Sequence, residues 1–368
     1  MAPLSGIWLP TPLPRLHYGP NCVSQHLLSA LPTPTSKAFI ITGQSLSKTP
    51  LLPNLEKLLD KHHAGTISCI RQHTPVSDID HTAEQILPQK GNIDTLISLG
   101  GGSVIDATKI ISHRYHEAHN VWLTHITIPT TLSAAECTPG GGYTSNGTKK
   151  AIIDAGMGVS SIFYDPGYKK YTPVDLWLRT GMRALDHAVE CMYNPIASEI
   201  PWKVLALWAA AELWEGLPQA KTHPVDEEVT VRLMLAAYAS SGLKGAGIRG
   251  MGLSHRLGHA LGAPYGIPHG TTSCLTLGKV VLLKAREKNC AEHIARLAPC
   301  FGGVRTGDDT ADAMFVGERI LKLVRELELD GKLGDWGVGT EEKSVIVKRA
   351  MGDDVRVEEM EKLVDELF

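Results

Sequence analysis

The chain lacks the features of disulfide-stapled, membrane-spanning and nucleic-acid-binding proteins. Its seven cysteines are odd in number, scattered, and never arranged as Cys-x-x-Cys, which argues against a disulfide framework and predicts a reducing compartment. No uncharged apolar run approaches the ~20 residues that a membrane span requires. A net charge of −3 with mixed signs along the chain gives no electrostatic footprint for nucleic acid or for an acidic membrane.

The first residues also lack the basic, uninterrupted apolar segment of a signal peptide, because prolines break them. These absences together predict a soluble, cytoplasmic protein with neither a nucleic-acid nor a membrane partner. With 368 residues, 43% hydrophobic and 20% charged, the chain has the size of two ordinary globular domains.

Strand and helix signals alternate in the first part of the chain. Alternation of this kind predicts a parallel α/β sheet. After about Asp165-Pro166 only helical patterns follow. We therefore predict an α/β domain with a parallel sheet over residues 1–165 and an all-helical domain over residues 166–368. The strands read from the pattern are Ala38–Gly43, Thr66–Ile70, Thr95–Gly100 and Ile126–Pro129.

A glycine-rich segment follows the third of these strands directly: Gly100-Gly101-Gly102-Ser103, then Asp106. Three glycines allow backbone N–H groups to approach a phosphate, and the N-terminus of the following helix favours its charge. Ser103 could cap that helix or donate to the phosphate. The alternative is a tight strand-to-helix turn without a ligand.

Hydroxyl side chains follow the next strand, beginning with Thr130 and Thr131. The carboxyl ends of the strands are where open α/β sheets bind ligands, so this segment could line a cofactor groove. The alternative is a loop that only caps a helix.

Three histidines lie close together in the second half of the chain. His255 and His259 are four residues apart, so a helix would place both on one face. His269 follows a turn rich in glycine and proline, at the predicted entry to another helix. This spacing indicates either a metal site or an acid/base site.

A fourth histidine, His187, lies in a helix predicted to begin near Gly181. Arg183 and His187 are four residues apart and would share a face, with Asp186 pointing elsewhere. On its own, a helical histidine is more often structural than functional.

In order along the chain, the glycine segment, Pro129-Thr130-Thr131, the helix from Gly181 and His255-x3-His259…His269-Gly270 resemble the iron-containing alcohol dehydrogenase family, within the dehydroquinate-synthase-like fold. The segment Thr130–Thr138 and the lead-in Tyr164-Asp165-Pro166 resemble its maleylacetate reductase branch. The resemblance implies that residues 1–165 form a Rossmann-like, dinucleotide-binding domain and residues 166–368 the catalytic domain. It also implies a nicotinamide cofactor, NADPH or NADH. Family members are often dimers, so it also implies a homodimer.

The resemblance assigns a first group of residues to the cofactor. The pyrophosphate would be held by the glycine segment, with Asp106 supporting its turn, and Thr130 and Thr131 would approach the phosphates or the nicotinamide. NAD-preferring members often have an acidic residue after the strand that ends at Gly43. Here Gly43-Gln44-Ser45 follows, with Lys48 nearby, so no carboxylate repels the 2′-phosphate of NADPH.

A second group is assigned to the chemistry. In metal-dependent members an Asp and three His bind iron or zinc, and the His positions match His187, His255 and His269. His259 matches a histidine usually given a proton-transfer role. Arg183 stands where the Asp ligand is expected. A guanidinium has no acceptor and repels a divalent cation, so we expect no metal, and if one binds, the three histidines would hold it.

Arg183 could instead bind a substrate carboxylate bidentately, while protonated His187, His255, His259 or His269 polarises the carbonyl. The alternative is that Arg183 pairs with Asp186 or Glu190 and only fills the former metal site. We expect an NAD(P)H-dependent reductase of a small carboxylated keto or ene substrate. Two competing hypotheses are a non-redox lyase, cyclase or isomerase of a biosynthetic pathway, and an inactive interaction protein.

Overall fold

The computed structural model describes residues 13–244, 251–351 and 357–368, and the chain divides into two compact units. The first unit comprises residues 13–173 together with Val225–Leu235. The second comprises Val174–Pro224 and the described residues from Ala236 onward. Among the described helices, none combines the length and the apolar character needed to cross a bilayer.

A six-stranded sheet forms the centre of the first unit, and all its strand pairs are parallel. This confirms the parallel α/β domain that the alternating pattern predicts. The strand order is β1-β8-β5-β4-β2-β3. The strands are β1 (Arg15–Tyr18), β2 (Ala38–Thr42), β3 (His63–Ile67), β4 (Thr95–Gly100), β5 (Thr124–Pro129) and β8 (Ser161–Tyr164).

The central strands are buried on both faces, as expected when helices cover both sides of a parallel sheet. Ile40, Ile97 and Ile126 are fully buried and give β2, β4 and β5 their continuous apolar character. The helices of this unit are α1 (Cys22–Ala30), α2 (Gln44–Ser47), α3 (Leu51–Leu59), α4 (Val76–Ile86), α5 (Gly102–His119) and α6 (Pro166–Lys169). An antiparallel hairpin of β6 (Gly140–Ser145) and β7 (Thr148–Ile153) is added to them.

The predicted strand at Thr66–Ile70 is misplaced, because the strand is His63–Ile67. Its position is set by pairing with β2, in which Ile41 lies opposite Ile67. Beyond that pair the chain leaves the sheet, held by a hydrogen bond from the Ile70 N–H to the Thr42 carbonyl. Hydrophobic pattern alone does not reveal the register with a neighbouring strand.

The second unit is helical, and no strand occurs among its described residues, which confirms the all-helical domain. On α10, Leu253, Leu257 and Leu261 recur every fourth residue and are buried, so the histidines between them face a different side of the helix. The helices are α7 (Val174–Tyr193), α8 (Val204–Thr222), α9 (Glu227–Ser241, in the first unit up to Leu235), α10 (Leu253–Tyr265), α11 (His269–Lys284), α12 (Lys288–Ile294), α13 (Asp309–Glu326), α14 (Lys343–Met351) and α15 (Val357–Asp365).

The helix predicted to begin near Gly181 begins earlier, at Val174, and Gly181 is buried in its interior. The entry signal is Pro173, which precedes the first helical residue, with Asp175 in the first turn where the helix dipole favours an anion. His269 is the first residue of α11, as the sequence predicts.

Candidate active site

The predicted cofactor residues of the first unit lie at the carboxyl ends of three neighbouring strands. Gly43 follows β2, Gly100 ends β4, and Thr130 follows β5. The chain runs from β2 to its neighbour β3 and then crosses to β4 on the other side of β2, so the strand order reverses between β2 and β4. Open α/β sheets bind ligands at such a reversal.

The glycine segment packs closely against the loop that follows β5. A Cβ on Gly101 would lie 3.0 Å from Cγ2 of Thr131, and a Cβ on Gly102 would lie 2.9 Å from Oγ of Ser133. The Thr131 and Ser133 hydroxyl oxygens are shielded from solvent and have no hydrogen-bond partner among the described residues. Two unpaired hydroxyl groups beside a glycine segment at a helix N-terminus suit an anionic ligand.

Ser133 is therefore an additional cofactor-binding candidate that the sequence reasoning did not select. Its signal was weak, because one hydroxyl in a segment rich in small polar residues is not distinctive. The contact with Gly102 distinguishes it. Thr130 takes part through its backbone, since its N–H donates to the Gly100 carbonyl at 3.1 Å.

Two roles expected in the glycine segment differ from those in the structure. Ser103 does not cap α5, whose N-cap is Gly101; its hydroxyl instead accepts from the His73 N–H at 3.2 Å. Asp106 supports the β6–β7 hairpin rather than the glycine turn, because its Oδ2 accepts from the Gly142 N–H at 3.0 Å. Burial raises the pKa of the Asp106 carboxyl, against the influence of nearby lysines.

In the second unit, three helices carry the predicted catalytic residues. Helix α7 carries Arg183 and His187, α10 carries His255 and His259, and α11 begins with His269. The structure brings the imidazoles together in two pairs. The ring centroids of His187 and His255 are 4.8 Å apart, and those of His259 and His269 are 6.0 Å apart.

Glu190 on α7 binds several groups of this region, although the sequence suggested it only as a possible partner of Arg183. Its Oε2 accepts from the His255 Nδ1 and the Gly252 N–H, both at 2.7 Å, and its Oε1 accepts from the Ser254 N–H at 2.6 Å. The carboxylate therefore caps the first turn of α10, where an anion is favourable, and fixes the imidazole of His255 at the same time.

From the sequence we expect Asp186 to point away from Arg183, with pairing of the two as an alternative. The structure has the two side chains in contact. Arg183 Nη1 lies 3.5 Å from Asp186 Oδ2 and 3.3 Å from Ser273 Oγ. The same Oδ2 accepts from the hydroxyls of Ser273 at 2.6 Å and Ser254 at 2.9 Å. Residues three apart on a helix are neighbours, so the spacing of 183 and 186 carried this signal.

Burial and charge separate the two histidines of the first pair. Burial, His255 and Arg183 together hold the pKa of His187 well below its ordinary value, which disfavours the protonated form considered from the sequence. Burial and Arg183 also lower the pKa of His255, but Asp186 and Glu190 outweigh them and raise it. Of the two, His255 is the one that its surroundings favour as an imidazolium.

The residues present do not reproduce the Asp-plus-three-His ligand set of a divalent metal. Ligand atoms of Asp186, Glu190 and His255 lie within 4.8 Å of one another. Among the described residues, Asp186 Oδ1 has no hydrogen-bond partner, but the other carboxylate oxygens are already bound. Glu190 accepts the His255 Nδ1, and Asp186 faces two hydroxyl groups and the Arg183 guanidinium. A guanidinium within this cluster opposes a second cation.

Comparison with known proteins covers both units and places the chain among NAD(P)-dependent oxidoreductases. The model described as "Iron-containing alcohol dehydrogenase" matches residues 14–166, and "Fe-containing alcohol dehydrogenase family, C-terminal" matches residues 177–366. The chain belongs to the iron-containing alcohol dehydrogenase family.

Individual relatives share this architecture at low identity. Dehydrogenase ALT3 of Alternaria alternata is 28% identical over 86% of this chain and 93% of its own length. Maleylacetate reductase 2 of Cupriavidus pinatubonensis is 29% identical over 53% of this chain and 50% of its own. The crystal structure of maleylacetate reductase from Agrobacterium tumefaciens superposes with a TM-score of 0.83 at 22% identity, covering 100% of this chain and 99% of that one, which confirms the fold.

Proposed function

We propose that the protein is a metal-independent, NAD(P)H-dependent reductase of a small carboxylated keto or ene substrate, similar to maleylacetate reductases. Reduced nicotinamide supplies a hydride to the substrate when bound, and a proton from the enzyme completes the reduction while the nicotinamide is oxidised. The two units supply the two requirements separately: a dinucleotide phosphate site at the sheet, and a cationic and proton-donating site among the helices.

The observation that carries the proposal is the hydrogen bonding of Arg183. Its Nη1 contacts Asp186 and Ser273, and both of those contacts are long. Among the described residues, its Nε and Nη2 have no hydrogen-bond partner. A buried guanidinium with one edge unoccupied can bind a carboxylate bidentately. Pairing with Asp186 therefore does not use all the N–H donors of Arg183, and the remaining donors can bind a substrate carboxylate.

The proton donor in this proposal is His255. Its Nδ1 is held by Glu190, while its Nε2 is buried without a hydrogen-bond partner in the described part of the chain. A carboxylate that fixes one ring nitrogen leaves the other in a defined direction for proton transfer. His259, exposed and paired with His269, provides the exchange of protons with solvent.

The cofactor proposal favours NADPH while admitting NADH. Gln44 and Ser45 are exposed after Gly43, and Lys48 is exposed at the end of α2. No acidic residue of this short segment opposes a 2′-phosphate, and Lys48 can pair with it. A cytoplasmic location and a homodimer stay predictions from the sequence.

The test combines metal analysis of the purified protein with NADPH and NADH consumption against maleylacetate and other keto acids, with and without EDTA. We expect no stoichiometric metal and activity that EDTA leaves unchanged. Arg183→Ala should lower kcat/KM about 100-fold with unaltered NADPH binding, and Arg183→Lys should recover part of the loss. Near-normal turnover of a folded Arg183→Ala protein would refute the proposal that Arg183 binds the substrate carboxylate.

The matched control is Arg179→Ala, one turn earlier on α7. Arg179 forms an ion pair at 2.9 Å with Asp175, whose side chain is largely exposed, so its loss should change activity less than twofold. If wild-type protein binds neither NADH nor NADPH in a fluorescence titration, the reductase proposal fails and the non-redox hypothesis takes its place.

A further inference from the structure

Lys109 is a fully buried cation in the second turn of α5. Its Nζ donates to three backbone carbonyls: those of Ala135 and Thr138 at 2.5 Å and that of Gly140 at 3.1 Å. The three donors of the ammonium are thus matched by three acceptors of one continuous segment, residues 135–140.

This segment is the continuation of the loop that faces the glycine segment. Thr131 and Ser133 precede it by a few residues and lie against Gly101 and Gly102, the residues that open α5. Lys109 therefore ties the loop with the unpaired hydroxyls to the helix whose N-terminus faces them. The Lys109 side chain thus connects the two parts of the predicted phosphate site, the loop after β5 and helix α5.

Burying an ammonium is unfavourable unless its interactions compensate, so an apolar side chain of the same length would be the simpler filler. The compensation here comes from the three carbonyls and from two neighbouring acidic groups, the half-buried Asp106 and the buried Glu136. Glu136 lies inside the tied segment, where its Oε1 accepts from the Tyr164 hydroxyl at 2.6 Å. The polar groups of the segment are thus arranged around a charge.

We propose that Lys109 is a positioning residue for dinucleotide binding, holding residues 135–140 so that the hydroxyls of Thr131 and Ser133 meet the cofactor phosphates. This proposal rests on the dinucleotide binding of the proposed function. It assigns to Lys109 no contact with the cofactor and no step in hydride or proton transfer.

The test is Lys109→Met, which keeps the length of the side chain and removes its three donors. We expect the Kd for NADPH, measured by fluorescence titration, to rise about tenfold, because small displacements of binding groups are costly. The KM for NADPH should rise by the same factor, while kcat at saturating NADPH stays within about threefold of wild type. Lys109→Arg keeps the charge in an altered geometry and should raise the Kd about threefold.

The matched control is Thr108→Val, the preceding residue. Thr108 is fully buried and donates only within α5, to the Val104 carbonyl at 2.8 Å. Its substitution should lower the melting temperature and leave the Kd for NADPH unchanged. An equal rise in Kd for Thr108→Val and Lys109→Met would reduce Lys109 to a general stabilising role and overturn the proposal.

The remaining outcomes are also decisive. A folded Lys109→Met protein with wild-type Kd overturns the inference and leaves the reductase proposal intact. Absence of NADPH and NADH binding in wild type overturns the reductase proposal first. If Lys109→Met does not fold, Lys109→Arg decides: a raised Kd in a folded protein supports the positioning role, and an unchanged Kd refutes it.

Discussion

The candidate sites of the two units use different polar groups. In the first unit, the groups beside the predicted pyrophosphate position are uncharged: glycine backbone and the hydroxyls of Thr131 and Ser133. In the helical unit, ionisable side chains of α7 and α10 are buried against one another around Glu190. Uncharged contacts of this kind depend on the shape of the site, whereas the interactions of buried charges can be altered by a single substitution. The first site is therefore expected to be more uniform among relatives than the second.

The largest expected effect comes from Glu190→Gln. An amide NH2 would face N–H groups that now donate to a carboxylate oxygen, so unfolding free energy should fall by about 3 kcal/mol. Reductase activity should fall at least 100-fold because His255 loses its anionic partner. The Kd for NADPH should not change, since the dinucleotide unit is untouched. Urea unfolding measures the stability, NADPH consumption the activity, and fluorescence titration the Kd.

The same substitution at an exposed glutamate, Glu318→Gln, provides the comparison. Glu318 lies on the solvent face of α13, so its replacement should alter unfolding free energy by less than about 0.5 kcal/mol. Equal stability of the two variants would contradict the role of Glu190 as the cap of α10.

Gly102→Ala tests the uncharged site. Unlike Glu190→Gln, it should change the Kd for NADPH and not lower the stability. Alanine is the better helix former, so stability should not fall, but the added Cβ would lie 2.9 Å from the Ser133 Oγ. We expect the Kd for NADPH to rise about tenfold through displacement of that loop. Gly334→Ala is the control, because nothing lies within 4 Å of the added Cβ there. An unchanged Kd in Gly102→Ala would show that the close approach is not required.

The smallest effect concerns His125 in β5, whose ring accepts or donates at 2.8 Å to the Ser98 hydroxyl. Burial, with a smaller influence of Lys109, lowers its pKa to about 3. The unfolded histidine binds a proton near pH 6.5 and the folded one does not, so stability falls as pH falls below 6.5. Between pH 6.5 and 5.5 the loss is about 1 kcal/mol.

Urea unfolding of wild type and His125→Asn at both pH values measures this contribution. The difference in stability between the two proteins should shrink at the lower pH, because only the wild type carries the unfavourable protonation. A constant difference would show that His125 is protonated equally in both states.

The dinucleotide unit was the more predictable from sequence, because its signals are local. The glycine segment between Leu99 and Val104 and the hydroxyls after Pro129 stand beside strands whose apolar runs identify them. What sequence could not give was the distance between the two loops, and with it the importance of Ser133 and the contact of Ser103 with His73. Those depend on the register of neighbouring strands.

The helical unit was predicted in its parts and misjudged in its connections. The histidine positions and the departure at Arg183 were visible in the pattern. Asp186 was assigned to the wrong side of α7, although three-residue spacing favours contact with Arg183. Glu190 was considered only as a partner of Arg183, because the N–H groups that it binds, those of Gly252 and Ser254, are more than sixty residues away. Backbone donors cannot be recognised in a sequence.

The capping of α10 by Glu190 has a consequence for how such a site changes over time. The same carboxylate starts the helix and holds the imidazole of His255, so neither depends on an ion bound between the helices. We therefore expect the start of α10 and the orientation of His255 to be kept when the residue at position 183 changes.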